Sequence, residues 1–343
     1  TFQAYTLRAR LLERMGQWPA AEADFARLPE LDAADAPRGF NQLAQFYFRR
    51  GDLKSAAATL ERGITEQPEA DVLRWNLVKV LMDLGDADAL RRANEVVESI
   101  AARAGAQQPD VLWMRARLAL RRNDASGTKD AEQLLRQVVQ LQPTHAGAYT
   151  DLIQLLLQNG NAREARDVAR AALGAIQGDG ALQLAAARTE LALGDPREAW
   201  SFARDAFTQD TALAGAAEFL VDAAFEAGDD VTLSKTRALL EAAATRSPRE
   251  SQIAHARLQL LARQHDFAAF DKVLAEYDAQ HPNDAAMNAF AGWALLAEGG
   301  PEQHAAAKAL FEQATQVSPA PRSARRGLAV LAFQSGDVTA AEN

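Results

Sequence analysis

The chain has 343 residues, 48% hydrophobic and 7% aromatic, and alanine and leucine dominate the apolar share, which is typical of helical proteins. It contains no cysteine, which excludes disulfides, a thiolate nucleophile and cysteine-based metal sites. A net charge of −9 argues against general nucleic-acid affinity, because neutralising phosphates needs a basic surface. No apolar run approaches the roughly 18 residues of a membrane-spanning helix, so no direct membrane insertion is expected.

A glycine, or a residue able to replace it in a turn, recurs along the chain at intervals of 34 to 38 residues. Self-similarity near 34 residues is typical of stacked helical repeats, in which each unit buries its apolar face against its neighbours. The period therefore predicts one continuous array. The turn residues are Gly16, Gly51, Gly85, Asn123, Gly160, Gly194, Gly228, His265, Gly299 and Gly336.

The second unit shows the predicted helix pair most clearly. Its apolar residues from Phe40 to Tyr47 follow the i, i+3, i+4, i+7 spacing of one helix face. Gly51 is expected to end this first helix in left-handed backbone, and Asp52 is expected to cap the second helix. Pro68 then closes the unit. The unit is therefore an antiparallel helix pair.

The same signals recur in later units. An aspartate follows the turn residue at Asp52, Asp86, Asp124, Asp195, Asp229, Asp266 and Asp337, and Asn161 is expected to act as an equivalent cap. The closing prolines are Pro68, Pro109, Pro143, Pro248, Pro282 and Pro319. The spacing from Gly85 to Pro109 predicts a second helix about two turns longer than in the second unit. Three-residue excesses precede Pro143, Pro248 and Pro319, and the glycines within 174–180 predict a bend.

This pattern resembles the tetratricopeptide repeat family. The residues that carry the resemblance are Leu43, Ala44, Tyr47, Gly51, Ala56 and Pro68, then Ala291, Gly292, Gly299, Ala307, Phe311, Ala314 and Pro319. It implies an all-α fold, an α-α superhelix or solenoid of about nine to ten antiparallel helix pairs, as a single array over residues 1–343. The expected units lie near 2–36, 37–70, 71–108, 109–145, 146–179, 180–213, 214–250, 251–284, 285–321 and 322–343, the last one partial.

No catalytic site, metal site or cofactor site is expected from the sequence. The five histidines form no i, i+4 pair and no HExxH motif, and no phosphate-binding glycine loop is present. Carboxylate pairs such as Glu164 and Asp167 lie at helix N-termini, where they complement the helix dipole. The sequence therefore favours a non-catalytic protein.

In the family, the first helix of each pair lines an inner groove, and this register selects candidate partner-binding residues. The second to fourth units give a basic, amide-rich and aromatic set: Arg38, Asn41, Gln45, Arg49, Trp75, Asn76, Lys79, Trp113, Arg117 and Arg121. The seventh unit gives an acidic set: Glu218, Asp222 and Glu226. Arginine and amide groups can bind peptide backbone and carboxylates, and tryptophan can anchor a ligand.

The alternative interpretation is that these arginines are solvated and that Trp75 and Trp113 pack between units. The family's two-carboxylate clamp, which grips chaperone C-termini, is not reproduced. Asn41, Asn76 and Lys79 match only part of this clamp.

The leading hypothesis is a bacterial protein-interaction scaffold that binds a peptide or protein in the groove. Two alternatives stay open: an assembly component of an envelope or exopolysaccharide-export machine, and a regulatory array fused to an enzyme such as a glycosyltransferase or kinase. Homo-oligomerisation is a further option. The chain is expected to be a fragment, with cytoplasm and periplasm both open as its location.

Overall fold

The computed structural model describes residues 1–317 and 320–335, and these ranges fold into nineteen α-helices without a β-strand. The expected all-α architecture of antiparallel helix pairs is confirmed. The described residues form two compact units, which divide between Leu155 and Leu156, inside the ninth helix. The bend expected within 174–180 stays a prediction.

The first unit holds four complete helix pairs and most of a ninth helix. Its helices are α1 (Phe2–Arg14), α2 (Trp18–Leu31), α3 (Ala36–Arg49), α4 (Leu53–Glu66), α5 (Asp71–Leu84), α6 (Ala87–Ala104), α7 (Pro109–Arg121), α8 (Ala125–Leu141) and most of α9 (Ala146–Gln158). Consecutive helices from α1 to α8 pack on each other, and the first helices α3 and α5 also touch.

The second unit continues the same alternation of first and second helices. Its complete helices are α10 (Ala162–Ala175), α11 (Gly180–Ala192), α12 (Pro196–Gln209), α13 (Ala216–Ala227), α14 (Asp230–Arg246), α15 (Ser251–Arg263), α16 (Phe267–Asp278), α17 (Ala285–Glu298), α18 (Pro301–Thr315) and α19 (Arg322–Gln334). Here α13 touches α15, α15 touches α17, and α17 touches α19, so the first helices from α13 to α19 form a continuous face.

Left-handed backbone ends most first helices, as expected. Positive φ is found at Gly16, Gly51, Gly85, Asn123, Gly160, Gly194, Gly228 and His265. Gly299 was expected to join them but has a φ of −100°. The next residue, Gly300, is also extended, because proline disfavours helical backbone at the residue before it. Gly336, Asp337 and Pro319 lie outside the described residues.

Aspartate caps are confirmed at the second helices. In six second helices, the carboxylate of the N-cap aspartate accepts a hydrogen bond from the backbone N–H three residues ahead. These aspartates are Asp52, Asp86, Asp124, Asp195, Asp229 and Asp266. The equivalent role expected of Asn161 is wrong, because its side chain makes no capping hydrogen bond. Asn161 does hold the N-cap position of α10, with the non-helical backbone that this position needs, but only its backbone takes part.

Two expectations about α6 are corrected by the structure. This helix has 18 residues against 14 in α4, so it is about one turn longer and not two. The other three extra residues reflect the position of the proline, because Pro109 lies five residues after the end of α6 and Pro68 two residues after the end of α4, while the links 67–70 and 105–108 are equally long. Pro109 does not close α6 but is the first residue of α7, where the missing N–H of proline costs nothing. The three-residue excess is confirmed in α8 and α14, with 17 residues each.

The core of each unit runs along the chain and has no single centre. In the first unit, one cluster joins α1 to α3 around Phe25 and Phe46, and another joins α3 to α7 around Phe40 and Leu81. In the second unit, one cluster spans α11 to α15 and the next spans α15 to α19. Each helix pair therefore buries its apolar face on its neighbours.

Candidate functional site

A cavity of about 270 Å³ lies on the first-helix face of the first unit, between α3 and α5. We call it the first-helix groove. Five of the predicted site residues meet there: Asn41, Gln45, Asn76, Lys79 and Arg117. The other lining residues are Ala44, Phe48, Leu60, Val80 and Asp83.

The floor of the groove is apolar. Leu60 is fully buried and Val80 nearly so, while the side chain of Phe48 is 42% exposed. An exposed phenylalanine beside a buried aliphatic floor can take up an apolar side chain of a ligand, because burial gains about 25 cal/mol per Å² of apolar surface.

Two amides lie at one edge of this floor. Asn76 Nδ2 donates to Asn41 Oδ1 at 2.7 Å. Among the described residues neither side chain has another hydrogen-bond partner, so Asn41 Nδ2 and Asn76 Oδ1 are left for a ligand. A donor and an acceptor side by side match the two polar groups of a peptide backbone.

The cationic groups of the groove differ in how they are held. Lys79 is exposed, and within the described part of the chain its ammonium has no ion-pair partner. Arg117 has its guanidinium carbon 5.2 Å from the Trp113 ring centre and its Nε 3.9 Å from Asp151 Oδ2. Lys79 is therefore the available cation.

Asp151 on α9 ties two candidates together. Trp113 Nε1 donates to Asp151 Oδ2 at 2.7 Å, and the ring meets His145 edge-on at 4.9 Å. Burial raises the pKa of Asp151, while the Trp113 hydrogen bond and the charge of Arg117 lower it. Trp113 thus packs between neighbouring helix pairs, α7–α8 and α9–α10, and does not line the groove.

The expected basic character of this face is largely cancelled. Arg49 makes a bidentate pair with Glu13 at 2.7 Å, and Arg121 lies 3.8 Å from Asp83. The expectation missed the acids because it kept only cations and amides from the register. Asp83 lies 34 residues after Arg49, and Asp151 lies 34 residues after Arg117, so the same period applied to every residue type would have found both.

The remaining predicted residues of the first unit lie elsewhere on it. Arg38 is exposed and rests 5.0 Å from the Phe2 ring centre. Trp75 is half-buried and packs against the cluster around Phe40 and Leu81. Neither residue lines the first-helix groove.

The acidic candidates lie on α13 of the second unit. Asp222 Oδ1 accepts from Gln259 Nε2 and from Arg263 Nη1, both at 2.9 Å, and burial raises the pKa of this carboxyl. Glu218 Oε1 lies 3.8 Å from His255 Nδ1, and burial lowers the pKa of that histidine. Glu226 is exposed.

In residues 1–317 and 320–335, no group of three or more histidine, cysteine, aspartate or glutamate side chains could hold a metal ion. No helix among these residues has the length and apolar character needed to cross a bilayer.

The tandem helix pairs, joined by left-handed turns and capped by aspartate, define an α-helical repeat protein. The sequence matches tetratricopeptide repeat profiles over residues 6–71, 124–189 and 302–342, about half of the chain. The chain belongs to the tetratricopeptide repeat family, whose members usually act as protein-binding scaffolds. Among curated proteins, none matches this chain.

Several solved structures are similar in fold. A tetratricopeptide repeat protein of Thermus thermophilus is 17% identical, with 55% of this chain and 98% of that one covered and a TM-score of 0.47. One from Parabacteroides merdae is 17% identical, with 81% and 98% covered and a TM-score of 0.43. Yeast Tom70 is 13% identical, with 99% and 90% covered and a TM-score of 0.45. At this level of likeness they carry no functional argument.

Proposed function

We propose that this protein is an interaction scaffold whose first-helix groove binds a partner segment with a carboxylate next to an apolar side chain. The observation that carries the proposal is the unpaired ammonium of Lys79 beside the exposed ring of Phe48. The ammonium would pair with the carboxylate while the apolar side chain rests on Phe48 and Val80. The amides of Asn41 and Asn76 would bind the segment's backbone.

Electrostatics favour an anionic partner at this groove. The lining charges are Lys79, Arg117 and Asp83, and Asp83 already lies near Arg121. An incoming carboxylate would therefore meet a net positive site, which also steers encounter.

The test uses a fluorescently labelled peptide in which glutamate alternates with leucine, and its matched peptide with glutamine in place of glutamate. Fluorescence anisotropy measures the Kd for each. We expect Lys79→Glu to weaken binding of the glutamate peptide about tenfold, equivalent to about 1.4 kcal/mol. Asn41→Ala and Asn76→Ala should weaken both peptides, because they remove backbone contacts.

The control is Lys54→Glu, which makes the same charge change on the exposed side of α4, outside the groove. Circular dichroism checks that helicity is unchanged in every variant. Equal weakening by Lys54→Glu and Lys79→Glu would show that net charge alone attracts the peptide, and the groove assignment would be wrong.

A further inference from the structure

A second cavity, of about 390 Å³, lies on the first-helix face of the second unit between α15 and α17. We call it the aromatic cavity. Besides three alanines, it is lined by Gln259, Arg263, Phe290, Trp293 and Glu298. None of these residues was predicted from the sequence as a site residue, and none of them lines the first-helix groove.

The two rings of the aromatic cavity are held in place by neighbours. Phe290 stacks on His255 with ring centres 4.3 Å apart. Trp293 donates its Nε1–H to Ser323 O at 3.1 Å and meets Phe311 edge-on at 5.6 Å. Rings fixed before binding lose little entropy when a ligand arrives.

Two charged residues line this cavity, and only one of them is unpaired. Arg263 is paired with Asp222, and its guanidinium carbon lies 3.9 Å from the Phe225 ring centre. The Glu298 carboxylate, by contrast, has no partner among the residues that the structure describes. A carboxylate beside two aromatic rings suits a cation.

The neighbouring first helices differ in charge, since α13 is acidic and α19 carries Arg322, Arg325 and Arg326. Helices α13 and α17 carry no lysine or arginine, and exposed Glu226 lies on α13. Burial lowers the pKa of His255, so near neutral pH this histidine does not neutralise Glu218.

We infer that the aromatic cavity binds a lysine or arginine side chain presented by a partner segment. The cation would pair with Glu298 and rest against the rings of Phe290 and Trp293, where cation–π attraction adds about 0.5–2 kcal/mol. Within the protein, the guanidinium carbon of Arg326 already lies 5.9 Å from the Trp293 ring centre. The site is of opposite sign to the first-helix groove and independent of it.

The test uses a labelled peptide in which lysine alternates with leucine, and its matched peptide with glutamine in place of lysine. We expect the wild type to bind the lysine peptide more tightly, and Glu298→Lys to raise its Kd at least fivefold. Glu298→Gln should raise it about threefold, and this isosteric change supplies the test if the lysine variant fails to fold. Trp293→Phe should weaken binding by a smaller factor, because phenylalanine attracts cations less strongly than tryptophan.

Two controls make the result specific. Asp271→Lys makes the same charge change on the exposed side of α16 and should leave the Kd unchanged. Lys79→Glu should not weaken the lysine peptide, and Glu298→Lys should not weaken the glutamate peptide, so the two sites fail or succeed separately. The inference is overturned if both Glu298 variants bind like the wild type, if Asp271→Lys weakens binding equally, or if the wild type does not prefer the lysine peptide.

Discussion

At the scale of single residues, the sequence predicts helix capping better than it predicts side-chain contacts between neighbouring helix pairs. The capping role of an aspartate after a turn residue can be predicted from local sequence, because the N–H from which it accepts a hydrogen bond lies only three residues ahead. The contact between Trp113 and Asp151 spans 38 residues and depends on how α7 and α9 pack. Only the repeat period links such positions, and it must be applied to acids as well as cations.

The caps at Asp52 and Asn161 give a matched pair for a stability measurement. Asp52→Ala removes a hydrogen bond to Ser55 N at 3.1 Å and should lower the free energy of unfolding by about 1 kcal/mol. Asn161→Ala removes no such bond and should cost clearly less. Urea unfolding of both variants measures the difference, and equal losses would mean that Asn161 caps α10 in solution.

Asp151 gives a pH-dependent prediction. Burial raises its pKa in the folded state, so the stability it contributes is present below the ordinary carboxyl pKa and is lost as pH rises through the raised value. At pH 7 the buried charge is therefore a net cost. Asp151→Asn removes this charge while its amide oxygen can still accept from Trp113 Nε1–H.

We expect the asparagine variant to be more stable than the wild type at pH 7, with a gap that narrows as the pH falls towards 4. Thermal melts across this range measure the gap. A gap that is constant with pH, or that widens in acid, would contradict the assignment.

At the scale of helices, the turn and capping residues predicted where most helices begin and end. They did not predict where two helices approach closely. The ring of Phe311 on α18 is held between two glycines. An added Cβ would lie 2.7 Å from this ring at Gly292 and 2.4 Å from it at Gly327. The sequence shows small residues at both positions, but only packing shows that one ring requires both.

Gly327→Ala should therefore destabilise the second unit by about 1–3 kcal/mol through overpacking. Phe311→Leu leaves a space that the new methyl group can enter. We expect the double variant to be more stable than the sum of the single changes predicts. A double-mutant cycle from urea unfolding measures this coupling, and purely additive losses would show that the ring moves aside freely.

The left-handed turns give a second prediction at this scale. Gly194 has a φ of 81°, and valine there should cost about 1–2 kcal/mol because its Cβ clashes in left-handed backbone. Gly174→Ala is the control, since Gly174 lies within α10 with no atom near an added Cβ, and alanine should stabilise it by about 0.5–1 kcal/mol. Unchanged melting of Gly194→Val would contradict the turn geometry.

At the scale of the whole molecule, the repeat period was enough for the fold, and it was not enough for the site. The fold follows because most units repeat the same turn and capping residues, so an error such as the predicted length of α6 affects one unit only. The site depends on which charged side chains have no ion-pair partner on a neighbouring helix pair. Arg49 and Arg121 are paired with acids, whereas Lys79 and Glu298 have no partner among the described residues, so the two cavities offer unpaired charges of opposite sign.

The central claim is that a ligand segment lies in the first-helix groove and not on the second helices. Paramagnetic relaxation measured by NMR, with a spin label on the glutamate–leucine peptide, tests this most directly. We expect the strongest broadening at the amide signals of Gln45, Phe48 and Lys79, and clearly weaker broadening at Lys54 on the outer side of α4. Broadening centred on α4 and α6, or spread evenly over the first unit, would contradict the account.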